Sequence, residues 1–152
     1  MAAHRDGDQD AMTLAQRVAD AMRASDAAAV SAGVELVEVG PGRAVAGLAV
    51  TERHVNGHGV CHGGYLFLLA DAAFAFACNS FGVPTLAAGA DITFLRPARL
   101  GAELLAEARL RSESGRSGIY DVTVRDGDTV VAEFRGRSRA VPTLAHPPGF
   151  TP

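Results

Sequence analysis

The stretch from Gly64 to Phe81, GYLFLLADAAFAFACNSF, constrains this chain more than any other. It has the length of a helix and is apolar on every side, so whatever it packs against must cover it all round. Gly82 and Pro84 follow it and stop it. One side chain breaks the pattern. Asp71 is the only ionisable carboxylate in the run, between Leu68, Leu69 and Ala70 on one side and Ala72, Ala73 and Phe74 on the other. A carboxylate is costly to bury unless it is paired or hydrogen-bonded. An acid kept in such a place is a candidate catalytic group. Just upstream, Asn56-Gly57-His58 and His62-Gly63-Gly64 make a polar, glycine-rich approach to the same helix. The run could also be read as a membrane span. It is short and interrupted by Asp71 and Asn79, which favours a buried core helix.

The rest of the chain supplies strands to do the covering. Residues 11–24 place Met12, Leu14, Val18 and Met22 near one face of an amphipathic helix. Ser25 and Asp26 end it or cap a short turn. Residues 33–39 alternate, Pro41-Gly42 turns, and 43–50 form the second strand of a hairpin. After the long helix, four strands are expected at about 85–95, 102–113, 117–126 and 129–140. Ser114-Gly115 and Asp126-Gly127 turn between them. The expected organisation is a disordered lead at 1–10, a single domain at 11–141 and a flexible tail at 142–152 containing Pro142, Pro147 and Pro148. One curved sheet covers one side of the helix, and a second subunit is the simplest source of the remaining cover.

Composition narrows the function classes. With 152 residues, 48% hydrophobic and 20% charged, the chain can build a sizeable core. A net charge of −3 argues against nucleic acid as a partner. All 14 basic residues are arginine. That removes Schiff-base lysine chemistry and Walker-type phosphate loops, and leaves arginine to hold any phosphate. The polar start MAAHRDGDQD has no signal-peptide core, so a cytoplasmic protein with Cys61 and Cys78 as free thiols is expected. No membrane partner, metal or cofactor is expected.

Chemistry can be argued from these residues alone. Helix N-termini expose unpaired N–H groups that favour developing negative charge. Gly63 has no side chain to keep a substrate carbonyl away from its backbone. Asp71 can act as a base on water or attack a carbonyl directly. The two are eight positions apart, about 12 Å along one helix. They cannot both reach one carbon from the same helix. Two helices paired antiparallel across a two-fold axis would bring Gly63 of one copy to Asp71 of the other, giving a composite site, two per dimer.

The segment His54 to Ser80, with its Asn56-Gly57-His58, His62-Gly63-Gly64, Leu69-Ala70-Asp71 and Asn79, closely resembles the hotdog-fold acyl-CoA thioesterases of the phenylacetate-degradation (PaaI) branch. Phe94-Leu95-Arg96-Pro97-Ala98, Gly118-Ile119-Tyr120-Asp121-Val122 and residues 131–138 support it. The likeness covers about residues 12–140. It implies an α+β hotdog fold, a curved antiparallel sheet around a long central helix. It also implies homodimers, usually paired into dimers of dimers, and hydrolysis of an acyl-CoA substrate at the dimer interface. Position by position, Asp71 matches the catalytic acid and Gly63 the backbone N–H that polarises the thioester carbonyl. Asn56 matches a residue that places substrate or water, and His62 flanks the carbonyl. Some relatives carry Ser or Thr after the helix to assist the water. Gly89-Ala90-Asp91 stands there, so that role is unassigned.

The acyl pocket is expected to draw on Gly64, Tyr65, Leu68, Leu69, Phe74 and Phe94. An apolar lining of this kind suits a phenylacetyl group or a ring-hydroxylated relative. For the CoA phosphates the pool is Arg96, Arg99, Arg111, Arg116, Arg135 and Arg137, with Arg96, Arg116 and Arg135 singled out. Alternatives stay open: another acyl group (hydroxybenzoyl, dihydroxynaphthoyl or medium-chain), a 3-hydroxyacyl thioester dehydratase using His62 with Asp71, or a CoA-ester-binding module without turnover.

Each motif also has a blander reading. Asp71 could be a helix acid paired with an arginine. His54, His58 and His62 recur every fourth residue, but the intervening glycines make a loop, so the spacing does not align metal ligands. Cys61 beside His62 imitates a nucleophile pair, yet adjacent side chains rarely face each other. Cys78 reads as packing.

Overall fold

The computed structural model describes the backbone of residues 2–152 and the side chains from residue 7 onward. Six strands form one antiparallel sheet in the order β1-β2-β4-β5-β6-β3. They are β1 (Glu35–Gly40), β2 (Arg43–Ala49), β3 (Thr85–Phe94), β4 (Glu103–Ser114), β5 (Ser117–Asp126) and β6 (Thr129–Ala140). The sheet curls around α3 (Gly63–Asn79), which touches all six strands. This is the α+β hotdog arrangement that the sequence implied.

Small inward residues let the sheet approach the helix. Ala44, Ala46, Ala106, Ala108 and Ala132 are fully buried under α3, with Leu104, Val122 and Val124 between them. Gly136 has a specific reason to lack a side chain. A Cβ there would stand 2.8 Å from the ring of Phe74, which also packs on Tyr120 and Phe134 at centroid distances of 5.5 and 5.9 Å. The N-terminal end of the loop into α3 is pinned by buried His54. Its Nδ1 accepts from the Thr51 N–H at 2.9 Å, so Nε2 carries the proton toward the Ala32 carbonyl at 2.6 Å.

Three features add to the sequence reading. The first helix, α1, spans Ala2–Ser25 and so begins ahead of the amphipathic segment at 11–24. Helix propagates cheaply once nucleated, and the Thr13 hydroxyl donating to the Gln9 carbonyl at 2.9 Å shows the helix intact on both sides of residue 11. The turn after it is a true helix, α2 (Ala27–Ala32), capped by Asp26, whose Oδ1 accepts from the Ala29 N–H at 3.0 Å. Together α1 and α2 cover part of α3 that the sequence reading leaves to a second subunit. Last, residues 142–152 run back over the molecule. The Val141 N–H donates to the Pro84 carbonyl at 2.7 Å, and Phe150 is buried against Val18 and Ala21 of α1.

Cover remains incomplete at one end. β3 is an edge strand, bonded only to β6, and Leu86, Phe94 and Leu95 on and just after it are about half exposed. Gly64 and Phe67 of α3 are exposed too, Phe67 packing edge-on against Phe134 of β6, the strand next to β3.

Candidate active site

α3 presents one face, Asp71, Phe74, Ala75, Cys78 and Asn79, to a cavity of about 520 Å³. The spacing i, i+3, i+4, i+7, i+8 is the repeat that puts side chains on one stripe of a helix. The α1–α2 junction, the start of β3 and residues 144–148 close the other sides. Asp71 is half-buried there. Burial holds its carboxyl above the ordinary carboxylate range, and the negative charge of Asp26 across the cavity pushes it further the same way. No cation among the described residues stands close enough to pull it back. The reading of Asp71 as one half of a structural ion pair therefore fails.

The other end of α3 supplies a donor. His62 is the N-cap residue, its Nδ1 accepting from the Gly64 N–H at 3.0 Å, while the Tyr65 and Leu66 N–H groups donate to the His62 carbonyl at 2.9 and 3.3 Å. Of the first-turn N–H groups, that of Gly63 alone has no acceptor among the described residues. An unpaired N–H at a helix N-terminus is suited to a developing oxyanion. Phe94, about half exposed at the end of β3, stands over Gly63.

Asn56 organises the loop leading to this donor. Its side-chain carbonyl accepts from the His58 and Val60 N–H groups at 2.9 and 3.3 Å, which leaves its amide NH₂ without a partner among the described residues. The loop is tied to the segment after β3, with the Cys61 N–H donating to the Ala98 carbonyl at 2.7 Å and Val60 bridged to Arg99.

The structure does not bring all the expected residues to one place. Gly63, Gly64, His62 and Phe94 gather at the N-terminus of α3, while Asp71 lies about two turns and Phe74 about three turns further along. Tyr65 packs edge-on against His54, at a centroid distance of 4.8 Å, and Leu68 is half-buried. Neither lines the Asp71 cavity. Arg96 donates to the Val130 carbonyl at 2.9 Å. Arg116 sits in the β4–β5 turn. Arg135 lies on the outer face of the sheet, in two hydrogen bonds to Asp121 at 2.7 and 3.0 Å that hold the Asp121 carboxyl below its ordinary range. His62 and Asp71 are nine positions apart, about 13 Å along the helix, so a dehydratase pair does not form within one chain.

The cysteines and histidines do not form a second centre. Both thiols are free and buried. The Cys61 sulfur points to the His62 carbonyl rather than its ring. Burial, and then the charge of Asp71, push the Cys78 thiol up to about 12, so it stays protonated at neutral pH. Among the described residues no three His, Cys, Asp or Glu side chains gather as a metal site, and no helix is long and apolar enough to cross a membrane.

Comparison with known proteins gives this arrangement its family. The model of the thioesterase superfamily matches residues 58–133. The acyl-coenzyme A thioesterase PaaI of Escherichia coli K12 is 43% identical over 81% of this chain and 89% of its own. The chain belongs to the thioesterase superfamily. Among solved structures, the E. coli PaaI protein from the phenylacetic acid degradation operon superposes with a TM-score of 0.84 at 40% identity, covering 86% of this chain and 95% of that one. A mutant of the phenylacetic acid degradation protein PaaI from Thermus thermophilus gives 0.72 at 34% identity, over 74% and 97% of the two chains. The resemblance read from the Asn56–Asp71 motifs is borne out. This thioesterase-superfamily chain keeps Gly63 and Asp71 inside the matched segment, whereas Asp26 and residues 144–148, which complete the cavity, fall outside it.

Those last residues are what sequence reasoning missed. Asp26 carried a visible signal, a cap residue following an amphipathic helix. Leu144 and Phe150 carried a weaker one, apolar side chains in an otherwise polar, proline-rich tail.

Proposed function

We propose that this chain is an acyl-CoA thioesterase acting on phenylacetyl-CoA or its ring-hydroxylated relatives, releasing the arylacetate and free CoA. The observation that carries the reading is the uncompensated carboxyl of Asp71 in its cavity, combined with the unpaired Gly63 N–H at the start of the same helix. Neither is explained by packing. The names of the relatives support the thioester class.

The site is composite. Gly63 and Asp71 are too far apart on one helix, and the open β3 edge, with Phe94 and Leu95 at its end, offers the surface on which a second copy would bring its own α3 alongside. Water at Asp71 loses a proton to the carboxylate as its oxygen adds to the thioester carbon. The carbonyl electrons move to oxygen and are held by the Gly63 N–H of the other copy. Collapse of that intermediate breaks the C–S bond, and the CoA thiolate leaves with the proton Asp71 took from the water, which restores the carboxylate. Direct attack by Asp71 on the carbonyl, with later hydrolysis of the anhydride, uses the same geometry. Asn56 would place substrate or water through its spare NH₂. His62, its Nδ1 spent on the cap, flanks the carbonyl. For the CoA phosphates we assign Arg99, whose backbone bridges Val60 in the loop before α3, together with Arg96 once its guanidinium leaves the Val130 carbonyl.

Free-thiol release from a panel of acyl-CoAs tests this function, the panel containing phenylacetyl, hydroxyphenylacetyl, hydroxybenzoyl and straight-chain esters. Fastest turnover on the arylacetyl esters is expected. Preference for another ester would move the substrate assignment, and an enoyl product without thiol release would replace hydrolysis by dehydration.

A further inference from the structure

We propose that residues 141–151 form a strap that walls the acyl side of the Asp71 cavity, and that His146 in it is a specificity-determining residue that hydrogen-bonds a hydroxyl on the aryl ring of the acyl group. The inference rests on the thioesterase reading and names the contact that would set its substrate.

The strap is latched at both ends. The Val141 N–H holds it to the Pro84 carbonyl at the start of β3. At the far end Phe150 is buried against α1, Arg17 lies over its ring at 5.4 Å, and an Arg17 guanidinium N–H donates to the Thr151 carbonyl at 2.7 Å. Between the latches residues 144–148 line the same cavity as Asp71. Three prolines, Pro142, Pro147 and Pro148, restrict the backbone of this span, so it is better suited to a fixed wall than to a loop that must be ordered on binding.

Chemistry singles out His146. Most polar groups around the cavity are already spent on backbone. The Ser25 hydroxyl donates to the Ala21 carbonyl, the Asn79 amide is bonded to Ala75 and to both backbone groups of Thr85, and the Thr85 hydroxyl donates to the Val83 carbonyl. Asp26 caps α2. The half-buried imidazole of His146 leans on the Phe150 ring at a centroid distance of 5.0 Å and has no hydrogen-bond partner among the described residues. It is the wall group able both to donate and to accept. A cavity of about 520 Å³ whose lining is mainly apolar, with one such group in its wall besides the reacting carboxyl, suits an aromatic acyl group carrying a polar substituent away from the thioester.

The test is kcat/KM for ring-hydroxylated phenylacetyl-CoA divided by kcat/KM for phenylacetyl-CoA. It is measured on the full chain and on His146→Ala, His146→Gln and Phe150→Ala, with thermal unfolding of each. His146→Ala is expected to lower the ratio about tenfold, the worth of a hydrogen bond at a desolvated site. His146→Gln keeps a donor and an acceptor and is expected to restore most of it. Phe150→Ala, which unlatches the strap, is expected to lower the ratio as His146→Ala does. A purely structural role would depress both esters together and leave the ratio alone. An active enzyme whose ratio ignores His146→Ala overturns the strap proposal and leaves the thioesterase reading standing. A wild type that hydrolyses no acyl-CoA defeats the thioesterase reading, and the strap with it.

Discussion

Phe94 stands over Gly63 so closely that a Cβ on residue 63 would lie 2.9 Å from the Phe94 Cζ. The absence of a side chain therefore keeps both the aromatic ring and the Gly63 N–H where they are. Gly63→Ala keeps the N–H but sets a methyl where the carbonyl must approach it, and is expected to lower kcat/KM by about 100-fold or more, the scale of an oxyanion donor put out of reach. The helix itself should persist, since alanine is a strong helix former. Adding Phe94→Ala relieves the collision with the ring. Activity in the double variant well below that of Phe94→Ala alone, with an unfolding temperature near wild type, would locate the loss at the carbonyl site. Recovery to the level of Phe94→Ala alone would assign it to the displaced ring.

Asp26 and Asp71 share a cavity, and the charge of one raises the carboxyl pKa of the other. A base works in its ionised form, so kcat/KM should fall as pH drops through the Asp71 pKa. Asp26→Asn removes the repelling charge while keeping a side-chain oxygen to cap α2. The acid limb of the pH–rate profile is then expected to move to lower pH. A limb that does not move would mean that Asp71 is not the titrating base.

Burial that raises the Asp71 pKa also costs stability. The folded value lies above the unfolded one, so between the two the native state binds more protons and stability falls as pH rises. Above both values the full cost remains, and below the unfolded value it vanishes. Asp71→Asn should therefore raise the unfolding temperature at neutral pH by a few degrees, given that ~1 kcal/mol shifts a domain of this size by ~2–4 °C. The gain should disappear in strong acid. Thermal unfolding at the two pH values checks the sign.

Shared sites can be detected by mixing defects. Co-expression of an Asp71→Asn chain with a Gly63→Ala chain should yield heterodimers in which one of the two composite sites is intact. Random pairing makes about half of the dimers mixed, so activity should recover to about a quarter of wild type. No recovery above the separate variants would show that both residues act within one chain.

The sequence displayed some of this architecture and concealed the rest, for physical reasons that can be named. The long helix was legible because Gly64–Phe81 is apolar all round and Gly82-Val83-Pro84 ends it. The four later strands fall within a residue or so of the structure because Ser114-Gly115 and Asp126-Gly127 fix their turns. Asp71 and Gly63 were visible as chemical anomalies in an apolar context. The β3 edge was less plain, because exposure of Leu86 and Phe94 depends on strand order, which is a tertiary property. The start of α1 was not legible because the sequence ahead of residue 11 carries no apolar repeat at helical spacing. His146 and Asp26 reach the cavity through contacts spanning most of the chain, and no local pattern encodes those.

Free-thiol release from phenylacetyl-CoA and its hydroxylated relatives, compared between the wild type and Asp71→Asn, tests the central claim most directly. The expected result is rapid hydrolysis by the wild type and a loss of roughly 100-fold or more in the variant, the scale of a positioned general base. Equal turnover in the two proteins, or no turnover in either, would contradict the assignment of Asp71 as the group that carries the reaction.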